Sequence, residues 1–149
     1  MCNNWRLIEL TNGTIGAVAV GSLLSLGAIT RKVAREPRCT PTFEVGTTAN
    51  NVILISEPGI YNVTYTGTLI AGAAGILGLN LLQNNDTLVT RTATVAEGDS
   101  AIFSLSKEIR VYRDCCCQQN MPIQLALSIS GVAITGGNGT LIINRQAAV

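Results

Sequence analysis

The residues best suited to chemistry in this sequence are three adjacent cysteines, Cys115, Cys116 and Cys117, in the segment YRDCCCQQNMP. A zinc site needs four converging ligands, commonly from Cys-x-x-Cys pairs, and the chain contains no histidine. Neighbouring side chains of an extended segment point to opposite sides, so Cys115 and Cys117 could share a face while Cys116 turns away. We expect reduced, metal-free thiols packed against apolar neighbours. A disulfide from Cys39 to one of the three, and a metal shared between copies of the chain, are the alternatives.

An enzyme is not expected from the remaining residues. General acid–base and nucleophilic catalysis need groups whose protonation can be tuned, and histidine, the commonest of them, is absent. The nine acidic residues fall mostly in predicted turns or on polar strand faces and form no motif. Phosphate-binding loops, nucleophile elbows and dinucleotide fingerprints are also missing. The sequence therefore predicts no catalytic residue and no cofactor.

The composition indicates one domain that associates with itself. The chain has 149 residues, a net charge of +1 and only 13% charged residues, against a usual value of about 25%. Without a basic patch and with few aromatic residues, it is not expected to bind nucleic acid. Residues 10–30 are uncharged and long enough to cross a membrane, but their glycines and hydroxyl residues argue against a membrane span. A chain with so little charge must bury much apolar surface, and self-association does this most simply.

Alternation with a period of two dominates the chain after residue 50 and predicts β-strands with one buried face. In GIYNVTYTGTLI the odd positions are mostly apolar and the even positions are mostly polar, and AIFSLSKEIRVY repeats the pattern with Lys107 as an exception. Turn signals separate seven or eight such strands, which is typical of a β-sandwich or barrel. The residues expected to point into the core or a trimer seam are Tyr61, Val63, Tyr65, Phe103, Leu105, Leu125 and Leu127.

The segment before Pro37 differs from the rest, because its alternation is weaker and its glycine content is higher. We predict an N-terminal arm over residues 1–36, with one strand in GAITRKV, followed by a β-domain over residues 37–149. Apolar residues near the start of the arm could anchor the protein to a larger surface. These expected attachment residues are Trp5, Leu7, Ile8 and Leu10.

Several short motifs resemble a known family. Residues 56–61, SEPGIY, are similar to the start of the globular heads of collagen-like spore-surface proteins. The combination of LGAITRK (26–32), Cys39, a Gly-x-Tyr strand and an IRVY…C segment (109–117) resembles small proteins of tailed phages that infect Firmicutes. The resemblance covers about residues 25–145 and departs from the usual pattern in its cysteine triplet. It implies an all-β, antiparallel jelly roll of the tumour-necrosis-factor and complement-head type that forms homotrimers.

The resemblance also implies a function. The expected role is a structural one, as a capsid decoration or head-fibre protein on the outer capsid surface of a tailed bacteriophage, made in the host cytoplasm. Its partners would be itself and the major capsid protein. The alternatives are the receptor-binding tip of a tail fibre that recognises a host glycan, and a jelly-roll head on a bacterial spore or cell surface.

Overall fold

The computed structural model describes residues 6–34, 43–45, 51–111 and 123–147, and these residues form β-strands joined by turns and loops. Within these ranges there is no helix long and apolar enough to cross a membrane. The strands are β1 (Arg6–Ile15), β2 (Ala28–Ala34), β3 (Phe43–Val45), β4 (Ile53–Ile55), β5 (Gly59–Ala71), β6 (Gly75–Gln83), β7 (Asp86–Val95), β8 (Ser100–Val111), β9 (Ile123–Ser130) and β10 (Ile134–Ala147).

The strands form two five-stranded antiparallel sheets that pack as a sandwich. The first sheet has the order β2-β1-β10-β5-β8, and the second has the order β3-β4-β9-β6-β7. Strands pair in nested fashion, with β6–β7 innermost, then β5–β8, then β4–β9, and β1–β10 outermost. Because successive pairs of this nest alternate between the two sheets, the chain is a long hairpin rolled into a jelly roll.

The side chains that recur at every second position of the sequence form the core. Along β5 and β8, buried side chains alternate with half-buried or exposed ones. The innermost hairpin turns at Asn84 and Asn85, whose φ angles of 50° and 70° match the left-handed turn that hairpins favour. The structure buries all seven expected inward-facing residues, each with an exposed fraction of 3% or less: Tyr61, Val63, Tyr65, Phe103, Leu105, Leu125 and Leu127.

The N-terminal segment is not a separate arm over its described residues, which corrects the predicted boundary at residue 36. Strand β1 lies inside the first sheet, hydrogen-bonded to β10 on one side and to β2 on the other. Ile8 and Leu10 point into the core and have no exposed surface, so they are core residues and not exposed anchors. The sequence did not indicate β1 as a strand of the sandwich, because its clear alternation ends at Leu10, where a polar, glycine-containing stretch begins.

The connection between β1 and β2, residues 16–27, closes one side of the sandwich, and we call it the strap. The backbone of Val18 exchanges two hydrogen bonds of 3.0 Å with Ile134, and the Leu24 N–H donates to the Leu127 carbonyl at 2.8 Å. The strap occupies the part of β9 that the three-residue β4 leaves unpaired. Leu24 and Leu26 are 0% and 2% exposed, so the strap also adds side chains to the core.

Candidate functional site

The three adjacent cysteines at 115–117 and the residue Trp5 lie outside the described residues. Cys39 lies outside them too, and the expectations about Cys39, Cys115 and Cys117 stay predictions. In the part of the chain that the structure describes, no three histidine, cysteine or acidic residues come together in a way that could hold a metal ion. Many of the described side chains that are open to a partner lie on the outward faces of the two sheets.

The outward surface of β5, β8 and β10 is the broadest regular face of the first sheet, and we call it the threonine face. Its side chains alternate along each strand with the buried residues of the core. None of the ten residues that define it is charged. They are Asn62, Thr64, Thr66, Thr68, Ile102, Ser104, Ser106, Thr140, Ile142 and Asn144.

A row of hydroxyl groups crosses the first sheet at this face. Thr140 is aligned with Thr66 in the pairing of β10 with β5, and Thr66 is aligned with Ser104 in the pairing of β5 with β8. On the other side of β10, the Thr11 hydroxyl lies 3.4 Å from the Thr140 hydroxyl and 3.2 Å from the Thr30 hydroxyl. Such cross-strand hydroxyl pairs stabilise neighbouring strands modestly and leave the surface flat and uncharged.

Ile102 is the most exposed large apolar side chain among the described residues, at 79%. It lies at one end of the threonine face, aligned with Thr68 of β5. Glu108 and Arg110 continue the same outward side of β8 at the opposite end, where Glu108 is aligned with Asn62 and lies 3.9 Å from Arg110. An exposed isoleucine among small, uncharged side chains is suited to contact with another protein.

The SEPGIY motif forms a turn held by a buried cation. The Arg145 side chain of β10 is 3% exposed and donates from Nε to the Pro58 carbonyl at 3.1 Å, with a second bond from Nη2. Its Nη2 also lies 4.0 Å from the Glu57 carboxylate. The Tyr61 hydroxyl donates to the Glu57 carbonyl at 2.6 Å. The motif that carries the sequence resemblance therefore has a structural role, and Arg145 was not recognised from the sequence.

The pKa of the Tyr65 phenol clearly departs from its ordinary value. Burial in the core raises the pKa of the phenol from 10.0 to about 12, since the phenolate would lose its hydration there. The side chain is 2% exposed and points away from the threonine face. A phenol held neutral in the core is a packing group and does not contribute to the candidate surface.

Comparison with known proteins identifies the fold but no family. No protein-family model matches the sequence, and no curated protein matches it. Among solved structures, the Eiger TNF of S. frugiperda shares 9% identity, with a TM-score of 0.70 over 99% of this chain and 96% of that chain. The globular domain of a zebrafish complement 1qA protein shares 6% identity, with a TM-score of 0.66 over 97% of this chain and 99% of that one.

A viral protein has the same architecture. The PRD1 vertex protein P5 shares 14% identity, with a TM-score of 0.57 over 94% of this chain and 96% of that chain. At these identities the likeness concerns the path of the backbone and not individual side chains. The nested strand order and these similarities together show that the chain has the antiparallel jelly-roll fold of the tumour-necrosis-factor and complement globular heads.

Proposed function

We propose that this protein is a structural component of a virion, a homotrimeric jelly-roll head that decorates the outer capsid surface of a tailed bacteriophage. The observation that carries the proposal is the threonine face, a neutral sheet surface with an isoleucine 79% exposed. Such a surface can be buried between subunits at little electrostatic cost, because the two charged residues on the same side of β8, Glu108 and Arg110, lie at one end and 3.9 Å from each other. The likeness of the fold to the PRD1 vertex protein supports the virion location.

Self-association through the threonine face is physically favourable. Burying a charged group costs several kcal/mol unless it is paired, and the ten residues of this face carry no charge. Threonine and serine hydroxyls can exchange hydrogen bonds with a neighbouring copy or with trapped water. Ile102 would supply the apolar contact that drives association, because its side chain is the largest apolar group left exposed on the face.

Light scattering tests the trimer and the face together. The unmodified protein should have a mass of about three times 15.6 kDa. Ile102→Glu should shift the protein towards monomer, because a buried, unpaired carboxylate opposes association. Ile76→Glu is the matched control, since Ile76 is 60% exposed but lies on β6 of the second sheet. A monomeric unmodified protein, or equal effects of the two changes, would contradict the proposal.

Attachment to the capsid is proposed at the end of the sandwich where β1 begins and β10 ends. The first residues of β1 pair with the last residues of β10, with Leu7 opposite Asn144, so both ends of the described chain emerge together. Leu7 is half-buried on the outward side of the first sheet, and Trp5 precedes it in the sequence. These two residues keep their proposed role as apolar contacts to the major capsid protein, whereas Ile8 and Leu10 do not.

Electron microscopy of phage particles tests the location. Gold-labelled antibodies raised against the purified protein should mark the capsid surface of particles produced in the host. Label at the tips of tail fibres would instead favour the alternative, a receptor-binding tip that recognises a host glycan. Particles that carry no label, from a preparation in which the antibodies detect the protein on blots of infected cells, would contradict a virion role.

A further inference from the structure

Strand β2 is an edge strand that the sandwich covers poorly. It forms one edge of the first sheet and pairs only with β1 among the described residues. Every described side chain from residue 28 to residue 33 is exposed, on both faces of the strand. Ile29 and Val33 are 46% and 48% exposed. The strand therefore gains little from the core that it borders.

The free side of β2 is a template for another strand. Along an antiparallel strand, successive residues direct both their N–H and C=O groups alternately towards the paired strand and away from it. Among the described residues, the groups of β2 that point away from β1 therefore have no paired strand. Extended peptides bind to such edges by adding a strand, with affinity from main-chain hydrogen bonds and specificity from alternate side chains. On β2, Ile29 and Val33 are aligned with Leu10 and Leu7 and so lie on opposite faces of the edge, with a register irregularity and the two cations Arg31 and Lys32 between them.

The charge of β2 is one-sided. Arg31 and Lys32 are adjacent, and the strand contains no acidic residue. Glu9 of β1 faces Arg31 at 3.7 Å and also accepts a hydrogen bond of 2.8 Å from the Thr30 hydroxyl. Arg31 and Lys32 are aligned with Glu9 and Ile8, which point to opposite sides of the sheet, so both faces of the edge carry positive charge.

The same charge argues against a second copy of β2 as the occupant. Antiparallel pairing of two β2 strands about Arg31 would place Arg31 opposite its own copy and crowd four cations onto two adjacent strands. Directly opposed like charges destabilise a strand pair, whereas opposite charges stabilise it. Two adjacent acidic residues of an added strand point to opposite faces, so one can pair with Arg31 and the other with Lys32.

We propose that the free edge of β2 binds an extended, acidic segment of a partner protein, which adds to the first sheet as a sixth strand. Two adjacent carboxylates of this segment pair with Arg31 and Lys32, and apolar residues on either side cover Ile29 and Val33. The site is distinct from the threonine face, since β2 lies at the opposite edge of the sheet from β8 and Ile102.

A synthetic peptide with the sequence TVEETVT, blocked at both ends and labelled with a fluorophore, is the probe for this edge. Anisotropy titration against the full-length protein should show saturable binding that weakens as salt is added. The double variant Arg31→Glu/Lys32→Glu should lose about tenfold or more in affinity, because two attractive cross-strand pairs become repulsive. The same variant should bind the peptide TVKKTVT in preference, and this recovery shows that the variant is folded.

The opposite edge of the same sheet provides the matched control. Lys107→Glu/Arg110→Glu changes two exposed cations on β8, and Arg110 likewise lies near a glutamate, at 3.9 Å from Glu108. This control variant should bind TVEETVT with unchanged affinity. Hydrogen exchange should show slower exchange of the β2 amides in the presence of TVEETVT and no change in β8.

Three results would overturn the proposal. They are no saturable binding of TVEETVT, equal loss of affinity in the β2 and β8 variants, and unchanged exchange of the β2 amides. Any of them would mean that Arg31 and Lys32 only keep the edge free of other strands, the role that charges on edge strands commonly have. The oligomeric state of the protein is measured separately, so this outcome would leave the trimer proposal standing.

Discussion

The phenol ring of Tyr65 occupies the space that a side chain at Gly139 would need. Gly139 of β10 is aligned with Gly67 of β5, two residues beyond Tyr65, and both glycines face the core. A Cβ at Gly139 would overlap the hydroxyl end of Tyr65, and one at Gly67 would touch its ring. The two glycines therefore form a recess that accommodates a large ring within the sandwich.

Gly139→Ala should destabilise the protein because the added methyl group overlaps Tyr65. Overpacking of a tight core costs about 1–3 kcal/mol. The free energy of unfolding, measured by urea denaturation, should fall by that amount. Gly13→Ala is the control, since a Cβ at Gly13 meets no atom within 4 Å. Equal stability of the two variants would mean that the ring moves aside at no cost.

The stability of the fold should decrease at high pH because of Tyr65. Its pKa is raised to about 12, so the folded protein holds this proton more tightly than the unfolded chain does. The resulting stabilisation is fully present below pH 10 and is lost as the pH rises through about 12. It amounts to at most about 3 kcal/mol.

Tyr65→Phe should remove this part of the pH dependence, as measured by urea denaturation at a series of pH values. In the unmodified protein, alkaline titration of the phenolate absorbance should include a component that ionises near pH 12, and Tyr65→Phe should remove that component. If instead the component that Tyr65→Phe removes ionised at about pH 10, and the pH dependence of stability were unchanged, burial of the Tyr65 hydroxyl would be disproved.

The strands with strict alternation could be predicted from the sequence, and those without it could not. β5 and β8 place apolar residues on nearly every second position, because one face is buried and the other is wet. β9 shows the same alternation of apolar residues, although Ala126 and Ser128 on its other face are buried too. β1 and the strap lack this pattern. Ile8 and Leu10 are buried because β1 is a strand of the first sheet, between β2 and β10. In this sheet β1 pairs with residues of β10 that are more than 100 positions away in the sequence. The residues around β1 in the sequence do not indicate that such a distant strand pairs with it.

The sequence predicts which residues of the candidate surfaces point outward, but not how the strands that carry them are arranged. The sequence shows that one face of a strand is outward and polar, at Asn62, Thr64 and Thr66. It does not show which strands lie beside that face. The row of hydroxyls depends on the alignment of Thr66 with Thr140, which chain folding sets. Arg145 resembled an ordinary exposed residue at the end of a strand, and its burial follows from the approach of the turn at Pro58.

Arg145→Ala should be strongly destabilising. The change leaves the Pro58 carbonyl without the two hydrogen bonds from the guanidinium and the Glu57 carboxylate without its neighbouring cation. Removal of one member of a buried charged network costs about 3–5 kcal/mol. The thermal midpoint should fall accordingly. Arg110→Ala is the control, because the Arg110 side chain is 68% exposed and lies 3.9 Å from the Glu108 carboxylate.

The control should change the free energy of unfolding by no more than about 0.5 kcal/mol, since surface substitutions rarely do more. Arg145→Lys should fall between the two, because a lysine retains the charge but cannot donate two bonds in the fork geometry of a guanidinium. A loss in Arg145→Ala no greater than in Arg110→Ala would mean that the turn at residues 57–61 is held without the cation.

Deletion of residues 1–12 should prevent folding, and this distinguishes a strand of the sheet from a detachable arm. The deletion removes most of β1, separates β2 from β10, and takes Ile8 and Leu10 out of the core. Truncation of a single buried aliphatic side chain already costs about 2–5 kcal/mol, against a total stability of about 5–15 kcal/mol for a domain. Deletion of residues 1–5 is the control, because it leaves every described strand complete. Circular dichroism and gel filtration should show a folded protein for the shorter deletion and an unfolded or aggregated one for the longer. A folded, unchanged oligomer after deletion of residues 1–12 would restore the N-terminal segment to the role of an arm.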